Sequence, residues 1–325
     1  MGVETIQPKE TKPIATRVAY GKALLELGKE NSNIVVLDAD LSGSTQTKLF
    51  AKEFPDRFFN MGIAEQNMIG VACGLSSCGK IPFASSFAMF ACGRAWEFVR
   101  NSICHNMFNV KVCATHAGLT VGEDGGSHQI IEDIAIMRAI PHMTVIVPAD
   151  ATEAKFATRA IAEYFGPVYM RLSRAASPVL FDENNFEFKI GKVKIIKGGI
   201  DVSIFACGVM VSKALEARDL LEKEGISAEI VNVSTIKPLD KETIISSVQK
   251  TGSAVSCEEH NIHGGLGDAI ANVLAEHYPV PMKIVAVQDQ FGQSGKSEEL
   301  LVHYGLTKDN IILAAKEAIK RKKRK

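Results

Sequence analysis

Val110-Lys111-Val112-Cys113-Ala114-Thr115-His116-Ala117-Gly118-Leu119-Thr120-Val121-Gly122-Glu123-Asp124-Gly125-Gly126-Ser127-His128-Gln129 runs from an apolar strand into a glycine-rich polar loop. Loops at the carboxyl ends of parallel strands carry chemistry. The glycines serve turns, but a purely structural loop has no need of two imidazoles and two carboxylates in so short a span. Outward from this stretch, apolar strand-like runs alternate with amphipathic helical segments, the pattern of a parallel sheet covered on both faces. Upstream the periodicity predicts helix over 15–31, strand 33–38, helix 65–78, strand 81–85 and helix 88–105. Downstream of the strand at 110–114 it predicts strand 143–147, helix 151–164 and strand 167–172. A run over 175–199 with Pro178 and Asp182-Glu183-Asn184-Asn185 reads as a linker and an edge strand. A second, smaller alternation follows: strand 202–206, helix 211–224, strand 228–233, helix 241–248, strand 254–258, helix 268–278 and a last helix 310–319.

Upstream of the loop, Phe59-Asn60-Met61-Gly62-Ile63-Ala64-Glu65-Gln66-Asn67-Met68-Ile69-Gly70-Val71-Ala72 sets one carboxylate, Glu65, among small and apolar residues at a helix start. Burial there penalises the ionised form unless a donor or cation offsets it, which suits a group that exchanges a proton with a bound heterocycle. The plainer alternative is a first-turn acid complementing the helix dipole.

The chain has 325 residues, 46% hydrophobic and 23% charged, the length and composition of a two-domain soluble enzyme subunit. Its zero formal charge hides an asymmetry: Lys320 to Lys325 supplies six bases, leaving 31 bases against 37 acids, net −6, in the rest. Bulk charge therefore argues against nucleic-acid binding, and the basic run reads as a solvated tail favourable to the last helix. Seven cysteines without a C-x-x-C pair read as buried thiols in a reducing cytosol. The polar N-terminus has no apolar signal core and no run reaches membrane-spanning length, so cytoplasmic residence without a membrane role is the expectation.

The Glu65 segment, Phe87-Ala88-Met89-Phe90 and the His116 to His128 loop occur in one order between Phe58 and Asp150. In this the sequence resembles the pyrimidine-binding domain of transketolase, a thiamine diphosphate enzyme, and the resemblance runs from about Ala15 to near the end. It implies an α/β chain: N-terminal extension 1–14, parallel-sheet pyrimidine-binding domain 15–174, linker and edge strand 175–200, smaller α/β transketolase C-terminal domain 201–319 and basic tail 320–325. It also implies that the C-terminal domain lies away from the chemistry. Close backbone packing is then the preferred account of Gly264-Gly265-Leu266-Gly267, over phosphate binding at a helix N-terminus.

By the same resemblance, Glu65 matches the glutamate hydrogen-bonded to the cofactor's N1′, which drives the aminopyrimidine to its imino form. Phe87 and Phe90 match the aromatics of the ring slot, with Phe90 stacking, and Asp40 matches a carboxylate facing the thiazolium. Arg17, Ser44 and Arg174 match sugar-phosphate binders, and His116 a residue near that phosphate and the sugar hydroxyls. Asp124 and His128 match groups that read the donor's hydroxyls; Glu65, His116 and His128 are the catalytic set. Taken singly, the phenylalanines could be core, Arg17 a surface cap and Ser44 a turn residue. Two positions depart from the pattern: Gly93 stands where many microbial transketolases carry Tyr, and Ala117 where many relatives carry Asp.

In the family a Gly-Asp-Gly followed by a distant Asn holds the diphosphate and its Mg2+ or Ca2+ on a preceding domain, and no Gly-Asp-Gly occurs in this sequence. No metal-ligand set is therefore expected here. The resemblance implies the C-terminal subunit of a split transketolase, active on sugar phosphates with an N-terminal subunit that carries the diphosphate-binding domain, and self-paired within a heterotetramer. 1-Deoxyxylulose-5-phosphate synthase, with its shared Ile-Ala-Glu-Gln, and the β subunit of 2-oxo acid dehydrogenases have the same architecture, but the Thr-His and Gly-Glu-Asp-Gly elements look more like transketolase. A non-catalytic regulatory subunit on the same fold is the other alternative, and retention of Glu65, His116, Asp124 and His128 argues against it.

Overall fold

The structure is a computed structural model that describes residues 12–322. Most of the expected N-terminal extension and half of the expected basic tail lie outside the described residues. The strands, in chain order, are β1 (Ile14–Ala15), β2 (Ile34–Asp38), β3 (Phe58–Asn60), β4 (Ile81–Phe87), β5 (Lys111–Thr115), β6 (Thr144–Ile146), β7 (Val168–Arg171) and β8 (Ala176–Ser177). They continue with β9 (Lys194–Lys197), β10 (Val202–Ala206), β11 (Ala228–Asn232), β12 (Thr235–Lys237), β13 (Ala254–Asn261) and β14 (Met282–Val287). Seven form one sheet in the order β12-β6-β7-β5-β4-β2-β3, and five form a second in the order β14-β13-β10-β11-β9. β1 and β8 make a two-residue antiparallel pair.

Both large sheets are parallel apart from one antiparallel edge strand each, β12 in the first and β9 in the second. The central strands read as continuous apolar runs because both faces are covered: every residue of β2, β5 and β10 is buried. Asp150 starts the helix Ala151–Glu163 by accepting the Glu153 amide at 2.7 Å. Its second oxygen accepts the amides of Leu180 and Phe181, which ties the segment after β7 back onto the first sheet.

Three local features differ from the periodicity. The segment expected as one helix over 88–105 contains two π-helical stretches, Met89–Arg94 and Val99–Cys104, on either side of Trp96–Phe98. A π turn inserts one residue and shifts the apolar pattern by only one position, too little to stand out within a single helical segment, and such turns gather at functional sites. The strand Thr235–Lys237, downstream of β11, crosses to the first sheet and pairs with β6 through Thr235 and Ile146. Cys78 is exposed, contrary to the reading of all cysteines as buried, while the other six are buried and all seven are free. Cys78 falls at the end of the helix Glu65–Ser77, where the chain turns through Gly79 to β4. No helix among the described residues is long and apolar enough to cross a membrane.

Candidate active site

The carboxyl ends of β2, β4, β5 and β7 converge on a cleft with an acidic and aromatic end and a cationic end. At the first, Glu65 opens its helix and is 1% exposed. Arg94 Nη1 meets its Oε2 at 2.9 Å, and the guanidinium, 45% exposed, also lies 4.9 Å from the centre of the Phe90 ring. A buried carboxylate left unpaired costs several kcal/mol, whereas a cation kept at the wet edge offsets part of that with little desolvation of its own. Phe87 closes β4 and Phe90 rides the first π stretch, their rings stacked at 6.1 Å and 14°. At Gly93 an added Cβ would rest in ordinary contact with Met89 Sδ at 3.7 Å and Ile130 Cδ1 at 3.9 Å, so the position would accept a Cβ without a clash.

The cationic end begins at His116, directly after β5. Its backbone is left-handed, φ 58°, a conformation that costs a non-glycine residue about 1–2 kcal/mol and points to a positional demand. The imidazole stacks on Phe87 at 3.8 Å and shares a 2.9 Å hydrogen bond between Nδ1 and Thr115 Oγ1. Burial, then the charges of Arg17, Arg174 and His128, push its pKa down to about 3, so it is neutral at pH 7. Arg17 sits in the first turn of the helix Thr16–Glu30 and donates to the carbonyl of Ser44 at 2.5 Å. Its buried Nε has no partner, and burial and then Arg174 lower its pKa. Arg174 donates to the Val121 carbonyl and to Glu123 Oε2 at 3.1 Å, with Asp124 Oδ1 at 3.9 Å. His128 stands edge-on to Phe90 at 5.5 Å and bonds Ser127 Oγ at 3.0 Å through Nδ1.

Glu65, Phe90, Phe87, His128, His116, Arg17, Arg174 and Asp124 thus form one continuous chain of contacts or charge interactions. Ser44 joins it only through its carbonyl. Asp40 is held apart, at φ 63°, by a 3.0 Å bond from Asn60 Nδ2. Two guanidiniums beside a neutral imidazole, one of them with an orphaned buried N–H, make a site that gains from a bound anion.

The second unit does not lie away from this cleft. Glu259, on β13, accepts the Thr120 amide at 2.5 Å, and Ser297 Oγ donates to the Thr120 carbonyl at 2.9 Å. Gln129 Nε2 reaches the carbonyls of Leu119, Gly122 and Gln293. A Cβ at Gly126 would sit 2.5 Å from the Gly292 carbonyl, so the two backbones meet where only glycine fits. The other glycine cluster is closed from within. Glu258 accepts the Leu266 and Gly267 amides at 2.6 and 2.7 Å, filling the N-terminus of the helix Leu266–His277 with the protein's own carboxylate.

The acidic and aromatic end fits the pyrimidine of thiamine diphosphate: a buried carboxylate lies beside an aromatic ring, with Arg94 touching both. Among the described residues no cluster of three His, Cys, Asp or Glu side chains is placed to hold a metal ion. Two residues escaped the sequence reading. Arg94 could not have been found from helical spacing, because it reaches Glu65 from the π stretch Met89–Arg94. Nor could Glu259, being 139 positions from the amide it holds.

The family model for the transketolase pyrimidine-binding domain matches residues 12–179, and that for the transketolase C-terminal domain matches 191–311. A protein of Methanocaldococcus jannaschii, provisionally named a transketolase C-terminal section, is 53% identical over 94% of this chain and 96% of its own length. A 6-deoxy-6-sulfo-D-fructose transketolase subunit from a Clostridium species is 43% identical over 94% of this chain and 95% of its own. A solved split-gene transketolase, in an inactive β4 tetramer, superposes with a TM-score of 0.88 at 52% identity, covering 95% of this chain and 99% of that one. The chain therefore belongs to the transketolase family, with a pyrimidine-binding domain followed by a transketolase C-terminal domain.

Proposed function

We propose that this chain is the C-terminal subunit of a thiamine-diphosphate-dependent split transketolase. It would move a two-carbon ketol unit from a ketose phosphate to an aldose phosphate in the cytoplasm, together with a partner that carries the diphosphate-binding domain. The observation that carries the reading is the continuity of the cleft, from a buried Glu65 beside Phe90 to the Arg17, His116 and Arg174 cluster. Thiamine diphosphate, when bound, supplies carbanion chemistry at its thiazolium ring. Glu65 would hold and exchange a proton at the pyrimidine N1′, in surroundings where a hydrogen bond is stronger than in water. Phe90 would stack on that ring, and Arg94 would share the carboxylate. Arg17 and Arg174 would bind the terminal anion of the sugar, with His116 as a neutral partner, while Asp124 and His128 read the donor's hydroxyls. A relative named for a sulfo-sugar supports a site that reads a terminal anion by charge. The domain limits proposed are 15–174 and 201–319, joined by 175–200.

Mixing the chain with a diphosphate-domain subunit, with and without thiamine diphosphate and Mg2+, tests the reading. Ketol transfer is expected only from the mixture with both additions, and from a two-by-two assembly. Substantial transfer by the purified chain alone would overturn the split arrangement, and a one-to-one complex of monomers in sedimentation would overturn the assembly.

A further inference from the structure

The loop bearing Asp124 and His128 is fastened by the second unit as well as by its own, through Glu259 and Ser297 on one side and Arg174 on the other. Glu259 Oε1 takes the Thr120 amide, and its carboxyl group lies flat on Gly118, where an added Cβ would come within 2.4 Å of it. Gly118 adopts φ 81°, so the residue opposite the carboxylate is set in a conformation that glycine alone adopts easily. Behind Glu259, Arg171 donates Nη2 to its carbonyl at 2.8 Å, faces Oε2 at 3.7 Å, and binds Asp133 through Nε at 2.8 Å. Tyr169 completes this group with a 2.7 Å bond to the same Asp133 oxygen. Burial raises the Glu259 pKa against the opposing pull of Arg171. Such an anchor is buried, holds the Thr120 amide through Oε1 and Arg171 through its own carbonyl while Oε2 faces Arg171 without accepting a hydrogen bond, and is contributed by a strand that supplies none of the cleft-lining residues.

We propose that Glu259 is a positioning residue for the cleft: through the Thr120 amide it holds the 118–128 loop so that Asp124 and His128 face the substrate. The inference rests on the transketolase reading for which substrate is felt, and on the hydrogen bonds alone for which loop is held. It gives the C-terminal domain a direct part in the site.

Hydrogen exchange in the full chain tests the loop without any activity. Glu259→Ala should speed exchange of the Thr120 amide by about tenfold or more, the loss of one charge-assisted hydrogen bond, with amides of β2 and β10 unchanged. Glu259→Gln keeps an oxygen for Thr120 and should restore slow exchange. Ser297→Ala, which removes one outer tether, should speed the same amides by a smaller factor and serves if Glu259→Ala does not fold. In the complex with the partner subunit, Glu259→Ala should raise KM for a sugar phosphate more than it lowers kcat, with rescue by Glu259→Gln. Unchanged exchange at 118–128 in both Glu259→Ala and Ser297→Ala, or an increase spread equally over both sheets, would overturn the proposal. If the parent chain shows no ketol transfer with its partner, the functional reading falls while the exchange result still decides the anchor.

Discussion

Each sheet of this molecule ends a parallel strand in a glycine-rich segment, and the two segments are put to opposite uses. After β5, Gly118 to Gly126 leave imidazoles and guanidiniums facing a cleft, one guanidinium N–H buried without a partner. After β13, Gly264 to Gly267 lead into a helix whose first free amides are already taken by Glu258. Glycine therefore announces close backbone approach in both places, and the polar residues upstream of it decide whether the exposed polar groups await a ligand or are sealed. His116 precedes the open segment with a lowered basicity; Glu258-Glu259 precedes the sealed one with two buried acids, one turned inward to its own helix and one outward to the other loop.

The largest effect that could break the contrast lies at the open end. Glu65→Gln keeps the side chain's size while removing its acid–base function, so turnover of the reconstituted complex should fall by about 10²–10⁴, roughly 3–5 kcal/mol. Exchange of the cofactor's C2 proton should slow in parallel, and an unchanged exchange rate would remove Glu65 from the role. Next in size, Arg174→Ala should lower kcat/KM for a sugar phosphate by roughly ten- to a hundredfold, the worth of a charge-assisted hydrogen bond. Hydroxypyruvate with a non-phosphorylated acceptor should be nearly untouched; equal losses on both pairs would mean that Arg174 supports the fold.

At the sealed end, Glu258→Ala leaves two buried helix amides unpaired and should destabilise the chain by about 1–3 kcal/mol in urea unfolding. Millimolar phosphate should recover part of this loss in the variant and do nothing for the parent. No recovery would show that the carboxylate is not what separates the sealed segment from the open one. The smallest effect is a titration. With its pKa moved from 6.5 to about 3, His116 binds no proton in the folded chain between those values while the unfolded chain does, so this group makes stability rise with pH across that window. NMR of the His116 ring should show it neutral at pH 5, with an upward shift in pKa when a sugar phosphate sits between Arg17 and Arg174. A ring that titrates near 6.5 without ligand would mean that the cationic cluster is already neutralised.

The α/β alternation was legible because strands such as Ile34–Asp38 are apolar for four residues running, up to the closing Asp38, and helices such as Thr16–Glu30 and Ala151–Glu163 keep their period. The cleft was legible in its parts, since Glu65, Phe90, His116 and Arg174 each stand at a motif position. Their contacts were not, because Arg94 reaches Glu65 from a π turn whose one-residue shift does not stand out in the pattern. The grip of Glu259 on Thr120 and the crossing of Thr235–Lys237 into the first sheet depend on tertiary placement across roughly a hundred residues, beyond the range of local pattern.

That crossing strand also governs how the chain can be divided. β12 covers the outer edge of β6, and Val147 and Lys237 add bonds to the Ser234, Arg138 and Ile140 carbonyls around it. A protein cut within 175–200 and stripped of its second half would keep every cleft side chain yet expose a raw edge of apolar strand, Thr144-Val145-Ile146, ready to pair with any neighbour. The two halves are thus separable by sequence but not by surgery: a gene encoding the first alone would yield a sticky sheet.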